Sequence, residues 1–315
     1  MRILVTGGAG FIGSHLAESL IRDGGHSLTV IDNFDPFYHH SIKEKNIFWL
    51  IQQPNVRFIR NDIRHLPDFE NQLDETYDAI IHLAAKAGVL PSIKDPIGYE
   101  DVNVKGTLQL LELARRKKIK QFVFCSSSSV YGVNPKTPWS ESDPVLLPIS
   151  PYASSKVSAE LAGYTYAHLY DLRFIALRLF TVYGPRQRPD LAIHKFAKMI
   201  LNNQPITMYG DGSTLRDYTN VADIVQGIRK ALHYESSNYE IMNLGNNSPV
   251  RLSDLISGIE DALGKKAIIH HLPEQPGDVP VTFADIRKAG ELIGYKPQVT
   301  LKAGLEEFCR WLKQQ

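Results

Sequence analysis

Met1-Arg2-Ile3-Leu4-Val5-Thr6-Gly7-Gly8-Ala9-Gly10-Phe11-Ile12-Gly13-Ser14-His15-Leu16 reads as a short apolar strand that turns directly into an amphipathic helix. Glycines at 7, 10 and 13 let the backbone bend sharply, bring N–H groups close to a pyrophosphate, and pack the helix tightly on the sheet. The helix N-terminus, with its unpaired N–H groups, favours phosphate charge. A glycine pattern alone is weak, since such a turn can bind nothing. Here the next apolar run, Leu28-Thr29-Val30-Ile31-Asp32, ends on an acidic residue nineteen positions beyond Gly13. A carboxylate there accepts hydrogen bonds from a ribose diol and repels a 2′-phosphate, so the turn is read as a site for NAD over NADP.

Outward from this stretch, short β-branched runs alternate with helical ones, the signature of βαβ units and a parallel sheet. Strands are expected at 3–6, 28–32, 56–60, 79–83, 121–126 and 174–179, and a run at 240–244 is expected to join the same sheet. The fold class is therefore α/β, a Rossmann-type doubly wound parallel sheet. After Leu179 the texture changes to turns and short helices, punctuated by Tyr183-Gly184-Pro185, Tyr209-Gly210-Asp211-Gly212 and Pro276-Gly277-Asp278. Residues 1–180 are read as the nucleotide-binding domain, rejoined by the strand near 239–244, and residues 181–315 as a smaller C-terminal substrate-binding lobe.

Tyr152 and Lys156 lie four residues apart at the start of an apolar-periodic stretch reaching about Tyr170, which puts both on one helical face. A nearby ammonium favours the ionised phenol, making a base usable near neutral pH. Upstream, Cys125-Ser126-Ser127-Ser128-Ser129 ends an apolar strand and supplies hydroxyls that orient a substrate alcohol. Together with a dinucleotide, these groups imply hydride chemistry on a carbinol. The plain alternatives are a surface Tyr–Lys pair and a polar strand end.

With 43% apolar and 22% charged residues over 315 positions, the chain can bury a full core. Its net charge of +1 argues against nucleic acid. The basic run Arg115-Arg116-Lys117-Lys118 suits the solvated end of a helix. Two distant cysteines, Cys125 and Cys309, make no disulfide framework and fit a reducing compartment, and no membrane span or signal peptide is visible, so a cytoplasmic protein is expected. No metal is expected either: His39-His40 and His270-His271 are adjacent pairs without ligand spacing, read as surface loops. Tyr99, Leu108, Leu111 and Ala114 read as a packed helix face that is either core or a dimer seam.

Thr6 to Gly13, Asp32-Asn33-Phe34, His82-Leu83-Ala84-Ala85, Ser126 to Gly132, Tyr152 to Lys156 and Arg216-Asp217-Tyr218 together resemble the extended short-chain dehydrogenase/reductase family over nearly the whole chain. Within it, Asp32 to Tyr38, Thr181 to Pro185, Arg188-Pro189-Asp190 and Gln275 to Pro280 look most like UDP-glucuronate 4-epimerases and the related bacterial UDP-glucose 4-epimerases. The resemblance implies a bound NAD, a UDP-sugar substrate, a homodimer, and inversion at C4 through a transient 4-keto sugar, most of all from UDP-glucuronate to UDP-galacturonate. It makes Tyr152 the base, Lys156 the group that grips the nicotinamide ribose and lowers the tyrosine pKa, and Ser127 the contact to the reacting hydroxyl. It places Gly7, Gly10, Phe11, Ile12, Gly13, Asp32, Asn33, Asp62, Ile63, Leu83, Ala84, Ala85, Lys86, Asn103 and Ser126 along the cofactor. Thr181, Arg186, Arg188, Arg216 and Asp278 fall to the substrate, with Arg216 facing the diphosphate and Arg186 or Arg188 a uronate carboxylate. UDP-glucose, N-acetylated sugars, UDP-glucuronate decarboxylation and a non-catalytic NAD-binding regulator stay open. The Asp-Glu pair of 4,6-dehydratases is replaced by Ser128-Ser129, and Leu90 stands where glucuronate epimerases typically carry arginine.

Overall fold

The computed structural model describes residues 1–273 and 280–315. Seven parallel strands form the central sheet: β1 (Arg2–Thr6), β2 (Ser27–Asp32), β3 (Val56–Arg60), β4 (Ala79–His82), β5 (Gln121–Ser127), β6 (Arg173–Leu179) and β10 (Tyr239–Leu244). Their order is β10-β6-β5-β4-β1-β2-β3. The chain winds one way from β1 to β3 and the other way from β4 onward, so the switch point lies between the C-terminal ends of β1 and β4. A crevice opens there in doubly wound sheets. The inner strands β1, β2, β4, β5 and β6 are buried on both faces, hence unbroken apolar runs such as Ala79-Ile80-Ile81.

Helices α1 (Phe11–Asp23), α2 (His40–Ile47), α3 (Leu66–Phe69), α4 (Val89–Lys94), α5 (Pro96–Glu100), α6 (Gly106–Arg116) and α7 (Pro151–Tyr170) belong to this first part of the chain. The lobe adds a sheet of β7 (Thr181–Tyr183), β9 (Leu215–Asn220) and β11 (Pro249–Arg251), and a pair made of β8 (Ile206–Tyr209) and β12 (Ile269–Leu272). His270 and His271 therefore lie on a strand, not in a loop. Around these sheets run α8 (Ala192–Leu201), α9 (Val221–Ala231), α10 (Leu252–Leu263), α11 (Arg287–Ile293) and α12 (Leu301–Leu312). One core cluster joins α8, α10 and α12. Ile224, Val225 and Ile228 of α9 pack instead with Leu16 and Leu20 of α1 against the central sheet. The chain thus leaves the large sheet after Leu179 and returns through α9 and β10. Tyr99, Leu111 and Ala114 are buried inside the subunit, which settles them as core; only Leu108 of that set faces outward.

Candidate active site

Gly7 has a left-handed backbone (φ 73°), and a Cβ there would lie 2.6 Å from the Ala84 nitrogen. The turn after β1 and the loop after β4 meet at the switch point, and only a glycine allows it. Gly13 has a second reason: a Cβ on it would lie 2.2 Å from the Gly7 oxygen. Helix α1 starts at Phe11 with no side-chain cap on Gly10, so the N–H groups of Phe11 and Ile12 open its N-terminus to an anion. Asp32 is buried, accepting from the Ala9 N–H (3.1 Å) and the Phe34 N–H (2.9 Å) and pairing with Lys43 (3.4 Å). An uncapped helix start beside a fixed carboxylate fits the pyrophosphate and adenosine ribose of NAD.

Asp62 accepts from the Asn33 side chain (2.7 Å) and from an Arg64 fork (3.0 and 2.9 Å). Burial alone would raise its carboxyl, but the Arg64 and Asn33 hydrogen bonds outweigh it and bring it down to about 2. The side chain of Ile63 is buried in the core against Gly106, so its backbone alone remains for a ligand. A π-helical turn, Asp101–Lys105, carries Asn103, whose side-chain carbonyl accepts from the Lys86 N–H (2.8 Å) while its amide donates to the Lys86 carbonyl and to Ser155 Oγ (2.9 Å each). That residue fixes the Leu83-to-Lys86 loop to helix α7.

At the end of β5, alternation decides the serines. Ser126 Oγ donates to Glu160 (2.5 Å), and Glu160 takes a fork from Arg178 (3.1 and 2.7 Å), both residues being buried. The Ser126 hydroxyl is thus committed away from the cofactor, leaving its backbone. Ser127 Oγ accepts from the Ser129 N–H (3.2 Å) and hydroxyl (2.9 Å), which leaves its own proton available to the Tyr152 phenol. The Tyr152 phenol nevertheless stands above its ordinary pKa: burial raises it, and the Ser127 hydrogen bond and the charge of Arg188 only partly offset this. The expected lowering by Lys156 is not what this geometry gives. The Lys156 ammonium donates to the Cys125 carbonyl (2.8 Å), sits 4.7 Å from the Phe124 ring, and is itself pushed down by burial to about 8. Burial pushes the Cys125 thiol up to about 12, so it is no acid.

The two lobe arginines separate. Arg186, with a left-handed backbone (φ 65°), pairs with Glu18 on α1 (2.8 Å), beside the contact of His15 with the Pro185 carbonyl (2.8 Å). Arg188 turns to the cleft, forking onto Asp190 (3.0 and 2.7 Å) with its charge felt by Tyr38, Tyr99 and Tyr152. Thr181 opens β7 opposite Tyr218, and Arg216 on β9 donates to the Leu215 carbonyl (2.9 Å). Asp278 lies outside the described residues. Sequence reasoning missed Lys43, Glu160 and Arg178; the one available signal was a glutamate on α7 one turn beyond Lys156, an unusual charge for a helix face turned inward.

A family model described as GDP-mannose 4,6 dehydratase matches residues 4–308. The chain belongs to that family, within the extended short-chain dehydrogenases/reductases. Ser128 and Ser129 follow the Ser127 hydroxyl in this chain. It is 48% identical over 98% of its length to a protein of Methanocaldococcus jannaschii, of which it covers 95%. It is 41% identical to a UDP-glucuronate 4-epimerase of Thermodesulfobacterium geofontis, covering 99% of this chain and 96% of that one. The crystal structure of UDP-glucuronic acid 4-epimerase from Bacillus cereus, in complex with UDP-glucuronic acid and NAD, superimposes with a TM-score of 0.91 at 38% identity, covering 100% of this chain and 99% of that one.

Proposed function

We propose that this protein is an NAD-dependent nucleotide-sugar 4-epimerase, an isomerase that converts UDP-glucuronate to UDP-galacturonate. The observation that carries it is convergence: Ser127, Tyr152 and Lys156 meet beside the switch-point crevice, with Arg188 of the lobe within electrostatic reach of Tyr152. When bound, NAD takes up hydride from C4 and returns it to the opposite face, so there is no net redox change. Tyr152 accepts the C4 hydroxyl proton and gives it back after the keto sugar has turned over. Ser127, its lone pairs filled by Ser129, directs its proton toward the phenol oxygen and steadies it as the phenolate forms. Lys156 holds positive charge beneath the cofactor ribose, anchored on the Cys125 carbonyl. Arg188 presents a planar fork to the C5 carboxylate, which keeps that group out of alignment with the 4-keto carbon and limits loss of carbon dioxide.

A panel of UDP-sugars followed by NMR tests this. UDP-glucuronate should give its C4 epimer with little UDP-pentose, and Arg188→Ala should cut kcat/KM for UDP-glucuronate far more than for UDP-glucose, whereas Arg186→Ala should not discriminate. UDP-glucose 4-epimerisation is the second reading, favoured by the Asp190 fork that already neutralises Arg188. Residues 1–180 with β10 would hold the cofactor and 181–315 the UDP-sugar. The exposed apolar side chains Leu108 on α6 and Leu161 and Tyr164 on α7 suit a homodimer seam. Among the described residues no helix is long and apolar enough to cross a membrane. Cys125 and Cys309 are free and buried, which suits a cytoplasmic setting.

A further inference from the structure

The loop Asp32-Asn33-Phe34-Asp35-Pro36-Phe37-Tyr38 does more than follow a strand. Its shape is set by side chains that fold back on the backbone: Asp32 accepts from the Phe34 N–H (2.9 Å), Asn33 from the Asp35 N–H (2.8 Å), and Asp35 from the Phe37 N–H (2.9 Å). Phe34 turns the chain with a left-handed backbone (φ 55°), and Asn33 ties the loop to Asp62. The far end returns to the start, since Lys43 stacks on the Tyr38 ring at 5.2 Å and pairs with Asp32. So braced, the loop brings the half-exposed Phe37 ring to 5.1 Å from the Arg188 guanidinium carbon. Arg188 is then held on two sides, its Nε and one Nη by Asp190 and its plane by Phe37. Its remaining N–H groups keep one direction.

We propose that Phe37 is a positioning residue for substrate choice: its ring fixes the plane of Arg188, and the Asp32-to-Phe37 loop thereby links the cofactor ribose end of the cleft to the group that selects an anionic sugar. This rests on the reading of Arg188 as the partner of the sugar carboxylate. A ring face attracts a guanidinium that an aliphatic side chain of similar size does not, so Phe37→Leu and Phe37→Trp separate the aromatic contact from simple packing. Kinetics on UDP-glucuronate and UDP-glucose read it, with dissociation constants in the Tyr152→Phe background where one sugar turns over too slowly. Phe37→Leu should lose at least about fivefold more on UDP-glucuronate than on UDP-glucose, mostly in KM, and Phe37→Trp should recover to within about twofold of wild type. In an Arg188→Ala background, Phe37→Leu should add nothing. Equal loss on both sugars, no loss, or additive loss in that background overturns the proposal. If Arg188→Ala itself fails to distinguish the sugars, the carboxylate reading falls and takes this one with it; if it distinguishes them while Phe37→Leu does not, only the role of Phe37 falls.

Discussion

Lys156→Met should make the protein more stable while removing its activity. Lys156 is 4% exposed, and its ammonium has the Cys125 carbonyl at 2.8 Å and the Phe124 ring at 4.7 Å. Burial lowers its pKa from 10.5 to about 8, against smaller opposing contributions from Cys125 and Glu160. At about 1.4 kcal/mol per unit, holding that charge at pH 7 costs the fold about 3 kcal/mol. Methionine fills a similar space without charge, and loses about 1–2 kcal/mol of hydrogen-bond and ring contact, leaving a net gain of about 1–2 kcal/mol. The sign has a second consequence. A lysine whose folded pKa lies below its unfolded one binds fewer protons when folded, so wild-type stability rises with pH between about 8 and 10.5. The variant lacks that rise, and its advantage should shrink by about 1.4 kcal/mol per unit from pH 8 to pH 10. Urea unfolding of both nucleotide-free proteins at pH 7, 8, 9 and 10 measures this. A difference that does not change with pH, or a variant markedly less stable at pH 7, refutes the reasoning.

Tyr152→Phe should fold and hold NAD while turnover falls at least about 10²-fold, as measured by NMR of the sugar product; near-normal turnover removes the assigned base. Ser127→Ala should slow catalysis most, Ser129→Ala less and Ser128→Ala least, because Ser129 acts on Tyr152 only through Ser127; three equal effects on kcat would contradict that order. His82 is held neutral between Thr6 and Thr107 (2.7 and 2.9 Å), and burial lowers its pKa to about 3. Its folded form binds fewer protons, so stability present above pH 6.5 is lost as pH falls toward 3, and His82→Gln should reduce that slope by about 1.4 kcal/mol per unit between pH 6 and 4 in urea titrations. Protein denatured after purification should release NAD in excess of NADP, since the Asp32 carboxylate repels a 2′-phosphate; mostly NADP would overturn the role given to Asp32.

Local patterns carried far because their physics is local. A strand, a glycine turn and a helix specify a mononucleotide-binding unit within some thirty residues. Asp32 needs only to close the next strand, and Tyr152 and Lys156 need only helical spacing to share a face. The parallel sheet followed from alternating apolar runs, and β10 at Tyr239–Leu244 is its seventh strand.

What the tertiary structure alone decided concerns direction and partnership between distant segments. Ser126 and Ser127 are neighbours of the same type, and strand alternation sends one hydroxyl to Glu160 and turns the other to Ser129, within influence of Tyr152. Arg186 and Arg188 are two residues apart, yet a left-handed turn at Arg186 gives one to Glu18 on α1 and leaves the other in the cleft. Spacing shows that Lys156 lies near Tyr152, but the depth of burial, which raises the phenol and lowers the ammonium, depends on β5 and the rings packed beneath it. Tyr99 and Leu111 are apolar whether they meet a core or a partner, and only packing against α7 and the central sheet distinguishes the two. Helical and strand periods report on the nearest few residues; desolvation and charge pairing depend on which segments the fold brings together.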